Sequence, residues 1–88
     1  MNIYNTTPEH SKEYGLTSNN PLFVQITFDG NLDIQNIDKY AQENGHDLIF
    51  GHIQQKANPI KVKKLLEKNG YFTIEGNNDF YKYTNTFA

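Results

Sequence analysis

Two periodicities take turns along the chain. From Pro21 to Phe28 the run PLFVQITF sets Leu22, Val24, Ile26 and Phe28 against Phe23, Gln25 and Thr27, which is the two-residue repeat of a strand. Both sides are largely apolar, so this strand belongs inside a sheet. Asp29-Gly30 marks a turn, after which Ile34, Ile37, Tyr40 and Ala41 recur at helical spacing, with Gln35, Asp38, Lys39, Gln42 and Glu43 on the opposite side. The spacing predicts a helix over about Leu32 to Asn44, with Asn31 as a cap that accepts a bond from a free backbone N–H and Gly45 as its stop. A second strand is predicted from Asp47 to Gln54, and Gln55, Lys56 and Ala57 connect it to a second helix. Asn58 as cap and Pro59 in the first turn fit a helix start, and Gly70 fits its end. Val62, Leu65 and Leu66 share one face of that helix, while Lys61, Lys63, Lys64 and Lys68 cover the rest. Tyr71 to Gly76 and Asp79 to Thr84 read as two strands joined across Asn77-Asn78, since Asn tolerates positive φ.

Met1 to Asn20 is polar and aperiodic, and reads as an irregular arm with room for a short strand around Asn2 to Asn5. The order is therefore strand, helix, strand, helix, hairpin, over a domain spanning 21–88 that follows an arm spanning 1–20. A strand, crossover helix and strand normally form a right-handed parallel unit. The predicted fold class is α/β: a small mixed sheet with two packed helices. No internal repeat or low-complexity segment interrupts it.

Composition narrows the picture. Eighty-eight residues hold one small domain with a thin core, so support from a partner or from self-association is in keeping with its size. The apolar fraction of 36% is low, but six Tyr and six Phe fill a core with few residues. The absence of Cys excludes disulfides and thiolate metal sites. No apolar run approaches the roughly 18 residues needed to cross a bilayer, and the first twenty residues lack the basic start and apolar core of a signal peptide. The expectation is a soluble cytoplasmic protein without a membrane partner, or a virion-associated one if phage encoded. Ten acidic groups stand against eight Lys and no Arg, for a net charge of −2. Without Arg the chain lacks the side chain best suited to bidentate phosphate or guanine recognition, so nucleic acid is not the expected partner. The many Asn and Lys fit an AT-rich coding genome, as in phages and mobile elements.

The run DLIFGHI (Asp47 to Ile53), Asn58-Pro59, the amphipathic helix and LLEKNGYF (Leu65 to Phe72) together resemble the back half of the GNAT family of N-acetyltransferases. The resemblance spans about Leu22 to Tyr83 and is strongest from Gly30 to Phe72. It implies an acetyltransferase-like fold and acetyl-CoA as the ligand. In that family the first of these strands leads into a pyrophosphate loop of the form Gln/Arg-x-x-Gly-x-Gly/Ala, whose backbone N–H groups and following helix receive the diphosphate. Aligned on the helix between Gly30 and Gly45, the three signature positions fall on Gln25, Phe28 and Gly30. The resemblance thus implies Gln25, Gly30 and the backbone of Asn31 at the diphosphate. It puts Ile49, Gly51 and Ile53 along the pantetheine arm, and Asn58 on that arm or on the acetyl carbonyl.

Several positions depart from the family pattern. Phe28 stands where a glycine lets the backbone approach phosphate, and Asp29 adds negative charge beside an anionic ligand. Leu66 falls where a Tyr would protonate the leaving thiolate, and Gly70-Tyr71 stands for Gly-Phe. The first half of the family's domain has no counterpart before Pro21. The expectation is a catalytically degenerate acetyltransferase-like domain, with no cofactor, that binds another protein or a second copy of itself as an assembly component. An inhibitor or a virion component would both suit. The alternative is an active N-acetyltransferase that transfers acetyl from acetyl-CoA to an amine.

Other chemistry rests on few residues. His46 and His52 can serve as bases with Glu75 or Asp79 as partners, and Tyr81 or Tyr83 can replace the missing acid. The catalytic candidates are therefore Tyr81, Tyr83 and His52. The ordinary alternative is that His46 is satisfied in a turn, His52 near a strand end, and that Tyr71, Tyr81 and Tyr83 are core on one face and cross-strand pairs on the other. His10, His46 and His52 show no ligand spacing, so no metal is expected. The lysine-rich face of the second helix can touch single-stranded nucleic acid or an acidic partner, and a solvated helix face explains it equally well.

Overall fold

The computed structural model describes residues 1–30 and 32–84. They run in the order β1 (Asn2–Asn5), α1 (Pro8–Glu13), β2 (Pro21–Ile26), α2 (Ile34–Glu43), β3 (Leu48–Ile53), a 3-10 turn (Gln55–Ala57), α3 (Pro59–Lys68), β4 (Phe72–Thr73) and β5 (Asp79–Tyr83). One five-stranded sheet has the order β1-β2-β3-β5-β4. The expected parallel pair is at its centre, with Leu22 opposite Ile49, Val24 opposite Gly51 and Ile26 opposite Ile53. β1 is antiparallel to β2, β5 to β3, and β4 to β5, so the sheet is mixed.

The two sides of the sheet are built differently. On one side Leu22, Val24, Ile26, Ile49 and Ile53 pack against Ile34, Ile37 and Ala41 of α2 and Val62 and Leu66 of α3, with Tyr71 and Phe80 in the same cluster. Burying each large aliphatic side chain contributes about 1.5–3 kcal/mol, so this layer holds most of the stabilisation. On the other side α1 lies over Phe23 and Phe50. The ring of His10 is 4.7 Å from Phe23 and 5.2 Å from Phe50, and Tyr14 is 5.1 Å from Phe50.

The first twenty residues, expected as an irregular arm, hold both the short strand and a helix. Thr7 caps α1, its side chain accepting from the backbone N–H of His10, and Pro8 occupies the first turn. The described residues thus hold three α-helices where two were expected, with the additional one on the opposite face.

Other boundaries differ for local reasons. α2 starts at Ile34 because Asp33 is its cap, with Oδ1 accepting from Asn36 N at 3.1 Å. The predicted cap Asn31 lies outside the described residues. Asn58 is the cap residue of α3 with Pro59 in the first turn, as expected, but it is left-handed (φ 55°) and its side chain makes no cap bond. Gly45 and Gly70 end their helices as expected, at φ 72° and 85°, with the next N–H (His46, Tyr71) bonding back to the carbonyls of Ala41 and Leu66. β4 is only two residues long. Beyond it Lys63 Nζ donates to the carbonyls of Ile74 and Asn77, and Gly76 takes the positive φ assigned to Asn77-Asn78, so the chain leaves the ladder early. Among the described residues no helix is long and apolar enough to cross a membrane.

Candidate functional site: the open aromatic face of the sheet

Strand pairing places one aromatic residue from every strand in a single row. Tyr4 is opposite Phe23, Phe23 opposite Phe50, Phe50 opposite Tyr81, and Tyr81 opposite Phe72. All five point away from α2 and α3, because side chains alternate along each strand. α1 covers the middle of the row, leaving Phe50 buried and Phe23 half-buried. At the β5–β4 corner no helix among the described residues lies over it. Phe72 is 61% exposed, Tyr83 is 47% exposed, and Tyr81 sits between them. The rings of Phe72 and Tyr81 stack at 5.2 Å, and Tyr81 meets Tyr83 edge-on at 6.1 Å. Tyr83 OH donates to the carbonyl of Thr17 at 2.9 Å, which fixes its ring across the segment after α1.

A polar row runs beside the aromatic one, with Asn2 opposite Gln25, Gln25 opposite His52, and His52 opposite Asp79. His52 Nδ1 is 2.9 Å from Asp79 Oδ1. A carboxylate only accepts, so this bond puts the ring proton on Nδ1. Both side chains are partly exposed, at 43% and 26%. Burial pushes the Tyr14 hydroxyl above its ordinary value, helped by the negative charges of Asp79 and Glu13. This corner of the face therefore combines exposed rings with carboxylates.

The three catalytic candidates, His52, Tyr81 and Tyr83, lie on this one face, and the structure joins His52 to Asp79 rather than to Glu75. His46 is different. It is 3% exposed, its Nδ1 bonds the carbonyl of Asn20 at 3.1 Å, its ring stacks on Tyr40, and Nε2 finds no partner among the described residues. A base so enclosed cannot reach a substrate, so His46 is a packing residue. Of the three hairpin tyrosines, Tyr71 is the core member and lies on the helix side. There its hydroxyl donates to Asp38 Oδ1 at 2.6 Å, and Lys82 Nζ holds the other oxygen at 2.9 Å. Burial and the Asp38 carboxylate raise the Tyr71 hydroxyl above the tyrosine range, so it stays protonated. Phe72 is the ring that β4 gives to the open face. Its pairing with Tyr81 could be read only from the register of a two-residue strand.

The residues associated with a cofactor are dispersed. Gln25 is on the open face, whereas Ile49, Gly51 and Ile53 lie on the helix side in a strand paired on both edges. A side chain at Gly51 would come within 1.8 Å of the Val24 carbonyl oxygen and 2.8 Å of the Phe80 ring, so this glycine makes room for a neighbouring strand and a core ring. A side chain at Gly30 would meet the Phe28 ring at 2.8 Å, so that ring lies over the backbone of the loop. Asn58 borders a cleft of about 470 Å³ between this loop and α3, lined also by Asp29, Leu32, Ile60, Lys64 and Lys68. Lys61 Nζ and Asp29 Oδ2, 3.6 Å apart, link its two walls. No group of His, Cys, Asp and Glu among the described residues could hold a metal ion.

No family model matches the chain, and no curated protein or solved structure gives a significant match.

Proposed function

We propose that this chain is a binding domain, a component of a larger assembly, that docks a partner protein on the open aromatic face of its sheet. The observation that carries the reading is the uncovered end of the aromatic row. Phe72, Tyr81 and Tyr83 form a contiguous ring surface on a rigid sheet, with Phe72 61% exposed. Aromatic anchors on a preformed surface are what protein interfaces use to gain affinity at low entropic cost. His52 and Asp79 then act as polar contacts at its rim rather than as catalytic groups.

The separation of the other candidates supports binding over acetyl transfer. His52, Tyr81 and Tyr83 are on one side of the sheet, and Ile49, Gly51 and Ile53 are on the other, engaged in the core. The reading predicts that titration with acetyl-CoA gives no heat up to millimolar ligand; micromolar binding would favour the acetyltransferase alternative. The direct test is capture from the producing cells with wild-type chain, with Phe72→Ser/Tyr83→Ser, and with Ile60→Ser on α3. A partner retained by wild type and Ile60→Ser but lost by the double variant is expected. Equal retention by the double variant would overturn the assignment of the face.

A further inference from the structure

The charges around the open face are unevenly shared. Of the eight lysines, Lys39 is on α2 and Lys61, Lys63, Lys64 and Lys68 are on α3, behind the sheet. Lys82 is turned the same way by its bonds to Asp38 and to the carbonyl of Asn69. That leaves Lys12 and Lys56, with Lys12 on α1 between Glu9 and Glu13. The open face itself carries Asp79, two residues from Tyr81 on the same side of β5, about 7 Å along the strand. Its Oδ1 is engaged with His52, and Oδ2 has no bonded partner among the described residues. Burial raises the Tyr14 hydroxyl first, and the nearby charges of Asp79 and Glu13 add to it.

Resting on the reading of this face as a docking surface, we infer that its occupant is a cationic, arginine-bearing segment of the partner protein. The rings of Phe72 and Tyr81 offer π faces to a flat guanidinium, and Asp79 Oδ2 offers an acceptor beside them. Lysine would gain the charge but not the stacking. A single-stranded nucleic acid would also stack on the rings, yet its phosphates would meet Asp79, Glu13 and Glu9, against which α1 sets Lys12 alone. The chain has no arginine of its own, so the occupant's guanidinium must come from another molecule.

The test is an aromatic NMR titration of the whole chain with three probes: a capped peptide of alternating Arg and Gly, the same peptide with Glu for Arg, and oligothymidylate. The expected result is that the Arg peptide moves the ring signals of Phe72 and Tyr81, that Asp79→Asn and Phe72→Ala each weaken it roughly fivefold, and that added salt weakens it further. The Glu peptide and the oligonucleotide should leave the rings unmoved. Equal or tighter binding of either at those rings would overturn the cationic inference while leaving the face as a docking surface. An Arg peptide that moves no ring signal would overturn it as well. The capture experiment with Phe72→Ser/Tyr83→Ser then decides independently whether the face docks a protein at all.

Discussion

Asp47 shows how one side chain can tie several segments together. Its carboxylate accepts from Ser18 Oγ and from the N–H groups of Asn19 and Asn20, while its carbonyl accepts from Thr84 N. Burial pushes this carboxyl up, but the bonds outweigh burial and hold it below its ordinary value of 3.8. A carboxyl with a lowered folded value stabilises the fold fully above its unfolded value, and the benefit is lost as pH falls through the folded one. Asp47→Asn should therefore cost about 1 kcal/mol at neutral pH by urea denaturation, with the gap from wild type narrowing below pH 3.8. A constant gap down to pH 2 would contradict the role. Gly51 is a second case. Because an added Cβ would lie 1.8 Å from the Val24 carbonyl, Gly51→Ala must part β2 from β3. The expected loss is about 3 kcal/mol or more; a variant as stable as wild type would show that the strands have slack.

At the scale of elements, α1 depends on its neighbours. Six residues cannot hold a helix alone, so α1 is kept by the Thr7 cap and by His10 and Tyr14 packing on Phe23 and Phe50. Tyr14→Ala should weaken the fold by about 1–2 kcal/mol and speed hydrogen exchange in α1, with β2 and β3 unchanged until global unfolding. Exchange rising equally in all three would show that α1 is part of the core unit. The same dependence explains what the sequence did and did not reveal. β2, α2, β3 and α3 were legible because each repeats its apolar residues over six or more positions. α1 was not, since six residues give no readable period, although Thr7-Pro8 was a valid start signal. The candidate site was half legible. His52, Tyr81 and Tyr83 stood out by type, but which side of the sheet each faces follows from pairing between β3, β5 and β4. Phe72 therefore had no signal of its own, whereas Tyr71 is the core member of the tyrosine set, in keeping with the ordinary reading of core on one face and cross-strand pairs on the other. The assignment of Ile49, Gly51 and Ile53 to a ligand came from resemblance, and packing accounts for all three here.

At the scale of the whole molecule the two sides of one sheet carry different residues. Aliphatic residues of β2, β3, α2 and α3 hold the fold together, and most lysines lie on that side. The other side carries an aromatic row that α1 covers only in part, with Asp79 at the open end. On the proposed reading, one face supplies stability and the other recognition. The measurement that tests it most directly is chemical-shift mapping of the chain with its captured partner. The account predicts the largest changes at Phe72, Tyr81, Tyr83 and His52, with α3 unmoved. Changes centred on Ile60, Lys64 and Leu65 would contradict it and move recognition to the cleft beside α3.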